Sequence, residues 1–310
     1  MIKLQHVEML LAIENAGSLR AAAKTLNRTQ PALTKALRQA EAELGAAIFQ
    51  RAPSGVVATV AGKPILRRAR IIQAELRKMQ EEVDQLKGAA KGALNITVSP
   101  LAAIRIIPEA VRRFRRRFPS VNLQFNGSHE PMAFGPLRDG AVDIVVGPAP
   151  RGKTEHGLSL APLLITPIVV ITGKGSRWAS AKSLRDLVQA DWLHIGPRER
   201  RPLFRQTFTK LGLLPPEPVV NSESITSILS MVEDSDFLCT FPLLLLEDIA
   251  SKWHIQPVPI AEELPTASIA ATYSADRPLT PAGQHFLDCV CNVAATMVRE
   301  AKGYAQKLSQ

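Results

Sequence analysis

Residues 17–49 read GSLRAAAKTLNRTQPALTKALRQAEAELGAAIF, and the organisation of the whole chain follows from them. Ser18 is placed to cap a first short helix, because its hydroxyl can satisfy an orphan N–H of the opening turn. Leu19, Ala22, Ala23 and Leu26 give that helix a small apolar face suited to close packing. Asn27 and Arg28 break the pattern. Thr29 then caps a second helix with Pro31 in its first turn, where a missing N–H does no harm. Leu33, Leu37, Ala40 and Leu44 recur at helical spacing and are expected inward, and Gly45 follows as a left-handed cap would. The opposite face carries Gln30, Thr34, Lys35 and Arg38, all uncharged or basic. Gln and Thr can reach base edges in a major groove, Arg can pair guanine or phosphate, and Lys can neutralise phosphate. An ordinary helical hairpin with a solvated polar face would show the same periodicity. The outward chemistry equally fits a helix-turn-helix with its recognition helix at Thr29–Leu44.

The run Leu4, Gly17-Ser18-Leu19, Ala21-Ala22, Leu26, Gln30-Pro31-Ala32-Leu33-Thr34, Glu41, Leu44-Gly45, Phe49, Arg51, and Thr59 with Gly62 resembles the winged helix-turn-helix of LysR-type transcriptional regulators. Met9 stands where that family usually has an aromatic residue, and Ala40 where it usually has Leu. The resemblance implies DNA contacts from Ser18, Arg28, Thr29, Gln30, Pro31, Thr34, Lys35, Arg38 and Arg51.

Charge is uneven along the 310 residues. Residues 1–92 carry 15 Lys/Arg against 8 Asp/Glu, a net +7, whereas 93–310 carry 23 against 20, a net +3. A basic N-terminal piece on a near-neutral body suggests an anionic polymer at one end. No long uncharged apolar run could span a bilayer. The opening MIKLQHVEML is interrupted by charge and lacks a signal-peptide core, so a cytoplasmic protein is expected, with no membrane partner. Cys239, Cys289 and Cys291 have no metal or redox spacing and read as buried small hydrophobes.

Leu4–Ala16 is a first helix with Leu4, Val7, Leu10 and Leu11 on one face. Gln50–Thr59, with Pro53, Ser54 and Gly55 between β-prone pieces, has hairpin chemistry and supplies a wing carrying Arg51. In Val60–Leu86 the residues Ile65, Ala69, Ile72, Leu76, Met79, Val83 and Leu86 alternate by four and three, which is an a/d heptad seam of three repeats. Its flanks are dense in charge, as exposed positions beside a seam should be. Such a narrow stripe needs a partner, and a two-fold dimer would double the recognition helix as palindromic half-sites require. Gly88 and Ala89–Ala93 read as a hinge.

From Leu94 strands alternate with helices, which implies α/β structure with mainly parallel sheets. Helices are expected at 104–118, 131–139, 183–189, 202–213, 222–232, 242–253 and 280–301, and the chain crosses between two lobes near 163–172 and 267–273. Two α/β lobes joined by two crossings resemble the effector domain of the same family, itself similar to periplasmic binding proteins. The expected division is a winged helix-turn-helix at 1–60, a linker helix and hinge at 61–92, and an effector domain at 93–310. Within the last, lobe I takes about 93–162 plus 268–310, and lobe II about 163–267.

Ligands of open α/β lobes bind beyond the carboxyl ends of strands. That rule selects Ser99-Pro100-Leu101, Gly127-Ser128, Gly147-Pro148, Gly196-Pro197-Arg198 and Asn221-Ser222. Ser99, Pro100, Leu101, Ser128, Gly147, Arg198 and Ser222 are the candidate effector contacts. Each loop taken alone is also plain turn chemistry. Hydroxyls, helix N-termini and the nearby Arg200 and Arg201 suit a small organic acid.

Thr172-Gly173-Lys174-Gly175-Ser176 lacks the full phosphate-loop spacing and reads as a basic surface turn. His129-Glu130 has no zinc-site spacing, and Arg112–Arg117 reads as a solvated helix face. No nucleophile constellation stands out, so neither catalytic residues nor a metal or cofactor are expected. The resemblance implies a homodimer or dimer of dimers that reads an interrupted palindrome in double-stranded DNA, with an effector altering its arrangement and its contact with RNA polymerase. A solute-binding protein for organic acids is the alternative that the two lobes would also fit.

Overall fold

The computed structural model describes residues 2–53, 55–87, 91–127, 134–150, 157–196 and 202–308. It begins with α1 (Leu4–Ala16), α2 (Leu19–Thr25) and α3 (Gln30–Leu44), then a hairpin of β1 (Phe49–Ala52) and β2 (Gly55–Ala58), then the long α4 (Gly62–Leu86). Met9, Leu10, Ile13, Ala22, Ala23, Leu33, Leu37, Ala40, Ile48 and Leu66 form one buried cluster that draws on all of these helices. Ser18 Oγ accepts from Ala21 N at 3.1 Å and Thr29 Oγ1 from Ala32 N at 3.4 Å, so both expected caps form. Losing such a cap costs about 1 kcal/mol. Asn27 turns the chain between α2 and α3 at φ 52°, a left-handed conformation that a short polar side chain tolerates.

Two expected inward residues face out. Leu4 is 54% exposed because it opens α1 before the helix has a neighbour, and Leu44 is partly exposed in the last turn of α3. Met9 and Ile13 take the buried positions on α1 instead. The linker helix starts at Gly62, within the expected 61–92. A side chain at residue 62 would drive into the Ile48 carbonyl, so the helix begins where only glycine lets it touch the wing. Ile65 and Ala69 of the seam are used up against α1 and its cluster, while Ile72, Leu76, Met79, Val83 and Leu86 stay exposed.

The rest of the chain forms a nine-stranded sheet with helices packed on it. In order come β3 (Gly92–Val98), α5 (Pro100–Arg117), β4 (Val121–Gly127), α6 (Phe134–Arg138), β5 (Ile144–Pro148), β6 (Leu158–Gly173), β7 (Trp192–Ile195), α7 (Pro202–Thr209), β8 (Val220–Ser222), α8 (Ile225–Glu233), β9 (Leu238–Pro242), α9 (Leu246–Ala250), β10 (Ile255–Pro257), β11 (Thr266–Ser274) and α10 (Pro281–Leu308). Strand order is β4-β3-β5-β11-β6-β9-β7-β8, with β10 added on β6.

Each end of the sheet is parallel: β3 with β4 and β5, and β7 with β8 and β9. The middle is antiparallel, against the expectation of mainly parallel pairing, because β6 and β11 are returning strands. β6 is 16 residues long; its first part pairs β11 and its last part pairs β9 and β10. Separate apolar cores lie on the two halves, one around Phe114, Ile144 and Phe286, the other around Ile171, Leu193, Phe241 and Leu245.

Several helix ends differ from the expected ones. Residues 184–187 form a single 3-10 turn, residues 243–245 another before the short α9, and α7 stops at Thr209. The helix expected from Ser222 begins at Ile225 with Ser224 as cap, since Ser222 is held in the β8 ladder against Ile195. Cys239 and Cys289 are buried, Cys291 only half-buried.

Candidate nucleic-acid interface and effector cleft

Gln30, Pro31, Thr34, Lys35 and Arg38 line one groove on the outer face of α3. The groove exists because the helix buries only Leu33, Leu37 and Ala40, leaving the residues at the intervening positions to solvent. Thr34 Oγ1 donates to Gln30 O at 2.9 Å, which commits its proton and turns its methyl group and remaining lone pair outward. Ser18 and Thr29 stand at the N-termini of α2 and α3, with their hydroxyls accepting helix-capping bonds. Arg28 lies exposed in the turn and Arg51 exposed on β1. Among the described residues, Arg28, Lys35, Arg38 and Arg51 have no carboxylate partner, whereas Arg67, Arg70, Arg105 and Arg277 elsewhere all do. Unpaired cations around an outward Gln and Thr provide what a phosphate backbone and base edges require.

The wing is fixed to this helix by a residue that sequence reasoning noted without assigning it a task. Glu41 Oε1 accepts from Ile48 N at 2.8 Å and Phe49 N at 3.3 Å. Val56 N on β2 donates to Gly17 O at 2.8 Å, closing the other side.

Four of the candidate effector residues come together. Ser99 N donates to Val146 O at 2.9 Å, and a Cβ on Gly147 would lie 3.1 Å from that of Ser99, so the ends of β3 and β5 touch. Ser99 caps α5, its Oγ accepting from Ala102 N at 3.3 Å, while its carbonyl accepts from Ala103 N. Pro100 has no N–H. Leu101 N–H is thus left, among the described residues, as the opening-turn donor, and the Ser99 O–H proton stays free to donate.

Leu101 packs against both apolar cores and Ile104 against the second, so this helix end lies where the two halves meet. Arg105 Nη1 reaches Leu244 O at 3.5 Å and Asp248 Oδ2 at 3.4 Å across the same seam, and Thr166 Oγ1 accepts from Leu244 N at 3.2 Å. Sequence reasoning missed Arg105, Asp248 and Thr166, which stand far apart in the chain and carry no motif. Ser222 ends β8 in the other half; its carbonyl accepts from Gly196 N at 2.9 Å and its Oγ from Ser224 N at 3.1 Å. Next to it, Asn221 Oδ1 is buried and has no hydrogen-bond partner among the described residues. Ser128 and Arg198 lie outside the described residues, as do His129, Glu130, Arg200 and Arg201.

Burial pushes the Cys239 thiol up to about 12, and raises those of Cys289 and Cys291, so none is a ready thiolate. Among the described residues no cluster of three or more His, Cys, Asp and Glu could hold a metal, and no helix is long and apolar enough to cross a membrane.

The family model for the bacterial regulatory helix-turn-helix protein of the lysR family matches residues 4–63, and that for the LysR substrate binding domain matches residues 87–295. The chain belongs to the LysR family. It is a DNA-binding transcriptional regulator with an effector-binding domain, and the solute-binding alternative falls away because the DNA-binding family model matches its N-terminal segment. Among relatives, it is 25% identical over 274 residues to the HTH-type transcriptional regulator TdcA of Escherichia coli (strain K12), covering 88% of this chain and 87% of TdcA. It is 27% identical over 254 residues to the regulator GbpR of Rhizobium radiobacter, covering 80% and 84% of the two chains. Its fold is similar to the crystal structure of CbnR, a LysR family transcriptional regulator, with TM-score 0.66, 20% identity and coverage of 94% and 99%. Full-length OxyR from Pseudomonas aeruginosa is similar at TM-score 0.67 and 20% identity, covering 95% of this chain and 97% of that one.

Proposed function

We propose that the LysR-type regulator described here reads an interrupted palindrome with two copies of α3, one from each protomer of a homodimer, and that the dimers pair into a dimer of dimers. The observation that carries the dimer is the row Ile72, Leu76, Met79, Val83 and Leu86, apolar and open to solvent along one face of α4. A surface helix with an unpartnered a/d stripe lowers its free energy by meeting its own copy. In this reading residues 1–60 form the DNA-binding unit and 61–92 the linker. Lobe I takes about 93–162 plus 268–310, and lobe II about 163–267. CbnR, which shares this fold, has been solved full-length in complex with its target DNA. Gln30, Thr34 and Arg38 contact bases, while Arg28, Lys35 and Arg51 contact phosphate. The site of action is the cytoplasm, where promoter DNA and RNA polymerase are met together.

The effector is a small organic acid held between the lobes. Its carboxylate takes the free O–H of Ser99 and the Leu101 N–H at the positive end of α5, with Ser222, Ser128 and Arg198 as the further contacts proposed from the sequence. Gly147 keeps the floor low, because a side chain there would press on Ser99. A hydroxyl on the acid satisfies Asn221 Oδ1. Calorimetric titration of the full-length chain with a panel of small hydroxy acids and their amides tests this. Acids are expected to bind and amides not, with Ser99→Ala and Ser222→Ala each weakening the acids. Binding confined to neutral or cationic compounds would overturn the anionic effector and leave the DNA-reading assignment standing.

A further inference from the structure

The linker helix carries a second stripe, on the side away from the apolar seam. Arg67, Arg70, Ala74, Lys78, Glu81 and Gln85 follow one another by three, four, four, three and four residues, so they share a face. Charged residues beside a heptad seam are expected in water, yet these meet the effector domain of their own chain. Arg67 Nε donates to Asp139 Oδ1 at 2.8 Å. Arg70 Nη1 donates to both carboxylate oxygens of Glu14 on α1, at 2.8 and 2.7 Å, while its Nη2 lies 3.9 Å from Asp139 Oδ2. One guanidinium therefore holds the DNA-binding unit and lobe I together.

Further along, Ala74 is buried against Gly140, whose φ of +75° and close approach leave no room for a side chain. Lys78 Nζ lies 2.9 Å from Asp143 Oδ1, with Lys78 9% and Asp143 5% exposed. The other oxygen of Asp143 accepts from Asn95 N at 2.9 Å, and Asp143 N donates to Asn95 O, so the carboxylate is built into the base of β3 and β5. At the far end Gln85 Oε1 accepts from Ala282 N at 3.0 Å, at the start of α10, and Gln85 Nε2 donates to Lys91 O at 3.3 Å.

We infer that this stripe latches the linker helix lengthwise onto lobe I of its own chain. The DNA-binding unit and lobe I are then held in one arrangement in the free protein. The inference rests on the reading of 93–310 as a two-lobed effector domain. The buried Lys78–Asp143 pair makes the latch specific. Removing one partner strands the other charge out of water, whereas removing both leaves a nearly neutral contact. Surface ion pairs such as Arg67–Asp139 add registry more than strength. The latch also leaves the seam of Leu76 and Met79 facing away from lobe I, free for a second protomer.

Paired spin labels in the full-length chain test the latch without effector or DNA, so its failure would not touch the DNA-reading assignment. One pair sits at the exposed residues 24 and 122, the other at 122 and 252, each in labelled chains diluted with unlabelled ones. The native protein should give a single narrow 24–122 separation. Lys78→Met and Asp143→Asn should each lose that single separation, the double variant should lie closer to the native protein than either single, and 122–252 should stay unchanged. Circular dichroism melting and retained exchange protection of β3 and β5 establish that the variants fold. A 24–122 separation already broad in the native protein, or one left narrow by Lys78→Met, overturns the latch. So does broadening seen only between 122 and 252.

Discussion

The carboxylate of Glu41, in the last turns of α3, holds the backbone N–H of Ile48 at 2.8 Å, and the Ile48 carbonyl in turn meets the first turn of α4 at Gly62. Recognition helix, wing and linker thus converge on one fully buried residue. Glu41→Ala leaves two backbone donors without their acceptor, a cost of about 1–3 kcal/mol. Thermal melting should fall accordingly, and Arg51 contacts made by the wing should weaken in footprinting. Unchanged melting would mean that water replaces the carboxylate.

The outward face of α3 separates two kinds of contact. Gln30→Ala and Arg38→Ala should each weaken operator binding by about 1–3 kcal/mol and relax base preference at one position per half-site. Lys35→Ala should weaken operator and unrelated DNA alike and lower the salt slope by about one. Gel-shift titrations over a range of salt measure both. Normal operator affinity in both Gln30→Ala and Arg38→Ala would remove them from the interface.

The seam predicts association. Leu76 and Met79 are 40% and 59% exposed, so Leu76→Asp with Met79→Asp costs a single protomer little. In a dimer the same carboxylates would be desolvated without partners, at several kcal/mol. Sedimentation should show monomers with unchanged melting of the α/β domain and lost palindrome selectivity. An intact dimer in the double variant would place the contact elsewhere.

Cys239 predicts an alkaline limb of stability. Its thiol is fully buried and titrates near 12, against an ordinary value of 9 in the unfolded chain. The folded state binds that proton more tightly, so the stabilisation is complete below pH 9 and is lost as pH rises from 9 towards 12, at about 1.4 kcal/mol per pH unit. Cys239→Ala should flatten that limb in chemical denaturation, and Cys239 should resist alkylation in the native protein long after the half-exposed Cys291 has reacted.

What was legible in the sequence was local. Ser18, Thr29, Pro31, Asn27 and Gly45 each act within four residues, so the helix pair and its outward face could be read directly. Ser99 was legible only as a strand end; the helix that it caps begins at Pro100, four residues before the expected start at 104. At Asn221-Ser222-Glu223-Ser224 two serines compete for one cap; the backbone of Ser222 is held by Gly196 and Ile195, so the cap passes to Ser224, which nothing local reveals. The linker helix was half legible. Its apolar stripe shows by spacing, but its polar stripe looks like solvent-facing charge until Asp139 and Asp143 are brought beside it from more than sixty residues away. Arg105 and Asp248 meet only through the tertiary fold.

The long β6 leads out of the first half-sheet and β11 leads back into it, with α10 packing last against α5. During synthesis this imposes an order on the chain. The helix-turn-helix emerges first with its core complete by Leu66, and the segment between β6 and β11 emerges whole. The half-sheet of β3, β4 and β5 must wait for strand Thr266–Ser274 and for Phe286 and Val290 to cover Phe114 and Ile144. A nascent chain can therefore hold a finished DNA-reading head while the body it is latched to is still open, and a chain cut short before β11 would keep the head without any means of control.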